Sequence, residues 1–94
     1  MRLVRIVDST RKGKKFMAVF DVGGRVKTVH FGAAGMSDFT KHRNESRKAS
    51  YLARHRKNED WDNPLSAGAL ARWVLWNKET MKASIEDFKR RYAV

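Results

Sequence analysis

The stretch KFMAVFDVGGRVKTVHF (15–31) leaves this chain little choice of local structure. Phe16, Ala18, Phe20 and Val22 recur at every second position, the period of a strand with one buried face. Gly23-Gly24 can take the positive φ angles of a tight hairpin turn, and the alternation resumes in RVKTVHF (25–31). Upstream, the β-branched RLVRIV (2–7) is joined to this hairpin by the polar turn DSTRKGK (8–14). The pattern predicts a three-stranded antiparallel meander over residues 1–31. Phe16 and Phe20 lie on its buried face, while Arg5, Lys15, Arg25 and Lys27 are expected mainly on the other.

Past residue 31 the period changes. Residues 32–42 form a connection containing Gly32, Gly35 and the turn pair Ser37-Asp38. A helix is expected over Arg43–Lys57, where Arg43, Arg47, Ser50, Arg54 and Lys57 fall on one stripe at 100° per residue. Ala49 and Leu52 sit near the opposite side, with Tyr51 on a flank as a partly buried packing residue. A second helix is expected over 65–76, capped by Asp62 or Asn63 with Pro64 in its first turn. Arg72 is its only charge, so it reads as buried all round. Its small residues Ser66, Ala67, Gly68 and Ala69 would let a neighbour approach closely. The last helix follows Thr80, with Met81, Ile85, Phe88 and Tyr92 on one apolar stripe. The fold class is α+β: one domain over 1–94, a meander (1–31), a glycine-containing connection (32–42) and three helices (43–94).

At 94 residues the chain can hold one small core. It has no Cys, which excludes disulfides and thiolate metal sites. No apolar run reaches the roughly 18 residues of a transmembrane helix. The N-terminus lacks the apolar core of a signal peptide, so secretion is not expected. The formal net charge of +11 is the strongest functional indication. It is concentrated in the first 57 residues, whereas residues 58–79 are mildly acidic. A field of this sign and size selects polyanions as partners.

Candidate chemistry is sparse. His30, His42 and His55 match no zinc spacing, so no metal or other cofactor is expected. His30 or His42 could be paired with Asp38 or Glu45 as base and orienter, with Ser37 as nucleophile, but no hydrolase or nuclease signature surrounds them. Ser37-Asp38 reads more simply as a turn or cap, and no enzymatic activity is expected. Gly32-Ala33-Ala34-Gly35 matches neither a P-loop nor a dinucleotide loop. It leads into a basic helix, however, and Gly32 and Gly35 are candidate backbone amides for an anion. The basic stripe is the better candidate, because like charges at i, i+4 carry a penalty that a bound polyanion removes. The expected nucleic-acid contacts are Lys41, Arg43, Arg47, Lys48, Arg54 and Lys57. Lys15, Arg25 and Lys27, with Arg11, Lys12 and Lys14, widen the footprint.

Several motifs carry a resemblance: VHFG, GMSDFTKH, RKxxYLARHR, NEDWDNP and SAGALARWVLWNK, together spanning residues 27–78. This combination resembles a family of small uncharacterised basic proteins encoded by large double-stranded DNA viruses of eukaryotes. The N-terminal strands and the C-terminal helix carry little of it. The resemblance implies a viral origin, a location in the virion or infected cell, and abundance with the genome or particle. It brings no catalytic residues. The reading that follows is a non-catalytic nucleic-acid-binding protein with little sequence preference and DNA ahead of RNA as its partner. The alternatives are a structural virion protein, such as a minor capsid or cementing component, and an accessory protein-interaction module.

Overall fold

The computed structural model describes residues 1–94 and has the expected α+β architecture. Strands β1 (Arg2–Asp8), β2 (Lys14–Val22) and β3 (Arg25–Ala33) form an antiparallel sheet in the order β1-β2-β3. Gly23 and Gly24 have φ of 59° and 85°, both positive as a two-residue hairpin turn of the twist-matched kind requires. The Gly24 N–H donates to Asp21 Oδ1 at 2.9 Å. Phe16, Ala18, Phe20 and Val22 share one face, opposite Phe31, Val29, Lys27 and Arg25 respectively.

That register corrects one expectation. Arg25 and Lys27 lie on the core side of the sheet, because pairing partners share a face and their partners are Val22 and Phe20. They stay exposed on the free edge strand. A bulge at Val4 resolves another irregularity. Leu3 pairs with Phe20 and Ile6 with Ala18, so two residues three apart both face the core.

Four helical segments follow. A single turn, α1 (Phe39–His42), occupies the end of the 32–42 connection. Four residues are too few to show a period. Its cap is legible, because Asp38 accepts the Thr40 N–H at 3.0 Å. Arg43 then takes a left-handed conformation (φ 53°), so the next helix cannot begin there. Helix α2 runs Glu45–His55 with Asn44 as cap, accepting from the Arg47 N–H. Arg56–Asn58 form a turn beyond it.

Helix α3 (Ala67–Leu70) starts later than expected. Its cap is Ser66, whose hydroxyl accepts the Ala69 N–H at 3.1 Å. Asn63 instead caps a preceding turn through the Leu65 N–H. The segment widens into a π-helical turn over Ala71–Leu75, and the Trp76 N–H reaches back to the Ala71 carbonyl. Helix α4 (Met81–Tyr92) is capped by Thr80 as the sequence suggested.

The core lies between one sheet face and the C-terminal helices. Leu3, Ala18, Phe20, Phe31, Leu70, Val74, Leu75 and Phe88 are buried together, with Ile85, Met81 and Tyr92 packed against them. Each large apolar side chain contributes about 1.5–3 kcal/mol of burial. The other sheet face remains open at Arg5, Val7, Val26 and Thr28. No helix is long and apolar enough to cross a membrane.

Contrary to expectation, the 67–75 segment is not buried all round. Leu70, Val74 and Leu75 enter the core, whereas Ala67, Gly68 and Ala71 border a cleft. The residues between make an aromatic-cation layer. Arg72 and Arg91 sit over the Trp73 ring at 3.9 and 3.6 Å, and the Trp73 indole and the Tyr92 hydroxyl both donate to the Trp61 carbonyl. Burial pulls the Arg72 guanidinium below its ordinary pKa.

Candidate nucleic-acid interface

Helix α2 presents two faces. Lys48, Tyr51, Leu52 and His55, at i, i+3, i+4 and i+7, turn toward the protein. Tyr51 is buried and stacked on Trp76 (centroids 4.3 Å, 4° between planes), and His55 stacks on Tyr51 at 4.1 Å. With both ring faces covered, Tyr51 is a packing residue and offers no platform for a base. Burial raises its hydroxyl pKa, so the group stays neutral, and it has no hydrogen-bond partner within the chain.

The adjacent face carries Arg47, Ser50 and Arg54, at i, i+3 and i+7. Together they line a cleft of about 700 Å³. Across it stand Ala67, Gly68 and Ala71 of the α3 segment, and Lys14 approaches from the start of β2. At one end the α3 segment comes close to the Glu59 side chain because Gly68 has no side chain of its own. A Cβ there would lie 3.1 Å from the Glu59 side chain.

Four Lys or Arg residues line the cleft (Lys14, Lys15, Arg47, Arg54) against two carboxylates, Asp38 and Glu59. Both carboxylates are already engaged. Asp38 Oδ2 accepts from Lys15 Nζ at 2.6 Å, with side-chain exposures of 1% and 10%. Glu59 is held by His55 Nδ1 at 2.8 Å and by the Trp61 indole N–H at 2.9 Å. Lys14, Arg47 and Arg54 have no ion-pair partner. Of all 21 Lys and Arg side chains, Lys15, Arg90 and Arg91 are the ones in ion pairs.

The structure therefore divides the residues expected to bind. Arg47 and Arg54 are brought together, with Lys14 beside them. Lys15 is removed from the set by Asp38. Lys48 is removed as well: its Nζ donates to the Asn77 carbonyl at 2.7 Å and lies 4.7 Å from the Phe39 ring centroid. Burial lowers its pKa. Arg43 sits at the α1–α2 junction and donates through Nε to the Glu79 carbonyl. Lys41 borders a shallower groove with Asp8 and Ser37. Lys57 is exposed beyond α2, and Arg25 and Lys27 do not line the cleft. Sequence reasoning missed the far wall. Its signal was the run SAGA (66–69), read there as a place for a helix to pack.

Gly32 and Gly35, the expected backbone anion site, sit among amides that are mostly bonded within the chain. The Ala34 and Met36 amides are bonded to the Gly13 and Ala33 carbonyls, and the start of α1 is occupied by the Asp38 carboxylate. Gly35 (φ 83°) is the third residue of a turn that needs a positive φ there. Gly32 (φ 79°) has a packing role, since a Cβ would lie 2.9 Å from Leu75 Cδ1 and 3.3 Å from Lys15 Cβ. Gly32→Ala is expected to destabilise the protein by about 1–3 kcal/mol through that crowding and the strained φ. A lowered denaturation midpoint at unchanged m-value is the check.

The three histidines are held apart. His30 Nδ1 meets Ser9 Oγ at 2.7 Å, His42 Nδ1 accepts the Asn44 N–H at 2.9 Å, and His55 pairs with Glu59. Neither His30 nor His42 hydrogen-bonds to Asp38 or Glu45, so the base–orienter pairing weighed from the sequence is not assembled.

With the cleft defined, one comparison bears on it. A family model described as a family of unknown function (DUF5754) matches residues 4–55, more than half of the chain. The protein belongs to this family. The DUF5754 segment runs from β1 to the last residue of α2, so it contains Lys14, Arg47 and Arg54 and stops short of the α3 wall. It also takes in the strands that carry little of the resemblance described above. No curated protein and no solved structure matches the chain.

Proposed function

We propose that this DUF5754 protein binds nucleic acid without catalysing a reaction on it, holding phosphates against the cationic wall of the α2 cleft. The observation that carries the reading is the convergence of Lys14, Arg47 and Arg54, from two separate elements, on one cleft with no carboxylate in ion-pair contact with any of them. Ser46, Ser50 and Asn44 add hydrogen-bonding groups along the same wall. The exposed cations around it, including Lys41, Arg56 and Lys57, extend the positive field past the cleft. No element presents side chains for reading bases, so sequence preference is weak. The resemblance to proteins of large DNA viruses makes a viral genome the expected polyanion, with DNA ahead of RNA.

A mobility-shift titration at several salt concentrations tests this. With about five phosphates contacted, log K falls against log[salt] with a slope of roughly −4 to −5 on duplex and about −3.5 on single strands. A flat salt response, or no binding at low salt, rejects the proposal.

A further inference from the structure

The cleft geometry points to single-stranded nucleic acid as the ligand, lying along α2 between its cationic face and the small-residue wall of α3; this deepens the nucleic-acid reading and rests on it. Arg47 and Arg54 are seven positions apart on α2, roughly 10 Å along its axis. That spacing suits successive phosphates of a chain, with the Ser50 hydroxyl between them on the same stripe.

The opposite wall favours a single strand over a duplex. A helix that reads duplex DNA enters the major groove with its contact face unobstructed. Here Arg47, Ser50 and Arg54 face a cleft whose other side is Ala67, Gly68 and Ala71, and a groove wall would collide with that segment. A volume of about 700 Å³ lies in the range of pockets that enclose a ligand of a few hundred daltons, the scale of a nucleotide unit. Small apolar side chains opposite the cations leave room for unstacked bases. At the narrow end both oxygens of the Glu59 carboxylate are taken up by His55 and Trp61.

The test is fluorescence anisotropy with a short labelled DNA strand, the same strand annealed to its complement, and the RNA counterparts of both. Wild type is compared with Ala67→Phe and Ser50→Phe, which fill the cleft from opposite walls at exposed positions. Thermal melts verify that each variant is folded. Wild type is expected to bind a single strand of DNA or RNA about tenfold tighter than its duplex. Each filling variant should lose about tenfold on the strand and clearly less on the duplex, so that the strand preference narrows. Equal affinity for strand and duplex overturns the inference and leaves general polyanion binding standing. So does a strand preference that survives both substitutions. No binding of either form at low salt overturns the nucleic-acid reading itself.

Discussion

Lys15→Met is expected to lower the stability of the fold by about 3–5 kcal/mol, because it leaves the Asp38 carboxylate buried without its counter-charge. Asp38 is 1% exposed and receives Lys15 Nζ at 2.6 Å, the Thr40 N–H and the Thr40 hydroxyl. Without the ammonium, two hydrogen bonds remain to balance a full charge that has lost its water. For a chain of this size the loss corresponds to a fall in Tm of at least about 12 °C. The partner substitution separates charge from packing. Asp38→Asn in the Lys15→Met background removes the charge and keeps an oxygen for Thr40, so the double variant should regain most of the lost stability. A double-mutant cycle with no coupling energy would show that the pair is not a unit. The same experiment assigns Lys15 its role. As a structural residue it leaves the salt dependence of nucleic-acid binding unchanged, whereas a phosphate contact would reduce the slope by nearly one.

Arg47→Gln with Arg54→Gln is expected to give the largest functional loss. The two guanidiniums have no partner within the protein, so neutralising them leaves no buried charge behind, and the fold should be unaffected or slightly stabilised by relief of like-charge repulsion. Each charge-assisted contact to phosphate is worth about 1.5–3 kcal/mol, so losing both weakens binding by at least about two orders of magnitude. The salt slope should fall by about 1.4 on a single strand. Lys57→Gln, beyond the end of α2, serves as the control and should change affinity far less. Equal losses from the cleft pair and from two remote lysines would mean that only net charge matters and that the cleft has no special part.

These two outcomes would divide residues that look alike in the sequence. Lys15, Lys48, Arg47 and Arg54 are four cations in a basic chain, and helical periodicity alone grouped Arg47 with Arg43 and Lys57. Arg43 left that stripe because its backbone is left-handed and ends α1. Lys48 left the binding set because a carbonyl some thirty residues away, at Asn77, captures its ammonium. Neither event has a local signature, since both depend on what the C-terminal segment brings alongside.

Local physics determined much of the rest from sequence. The period-2 run with Gly23-Gly24 specified the hairpin and its buried face, because alternate residues of a strand share a face, which groups Phe16, Ala18 and Phe20, and the turn needs two positive φ angles. The Met81–Tyr92 stripe and the Thr80 cap specified α4 for the same kind of reason, since both rest on neighbours within a turn or two. The strand bulge at Val4, the late start of α3 at Ser66 and the π-turn after Leu70 are different, because packing against distant residues decides them. The cleft is the clearest case. Its cationic wall was legible as a stripe on α2, but its far wall comes from Ala67, Gly68 and Ala71. Small side chains are equally compatible with a tight helix contact and with an open channel. Only the tertiary arrangement, in which Leu70, Val74 and Leu75 are drawn into the core and turn the small residues outward, decided between them.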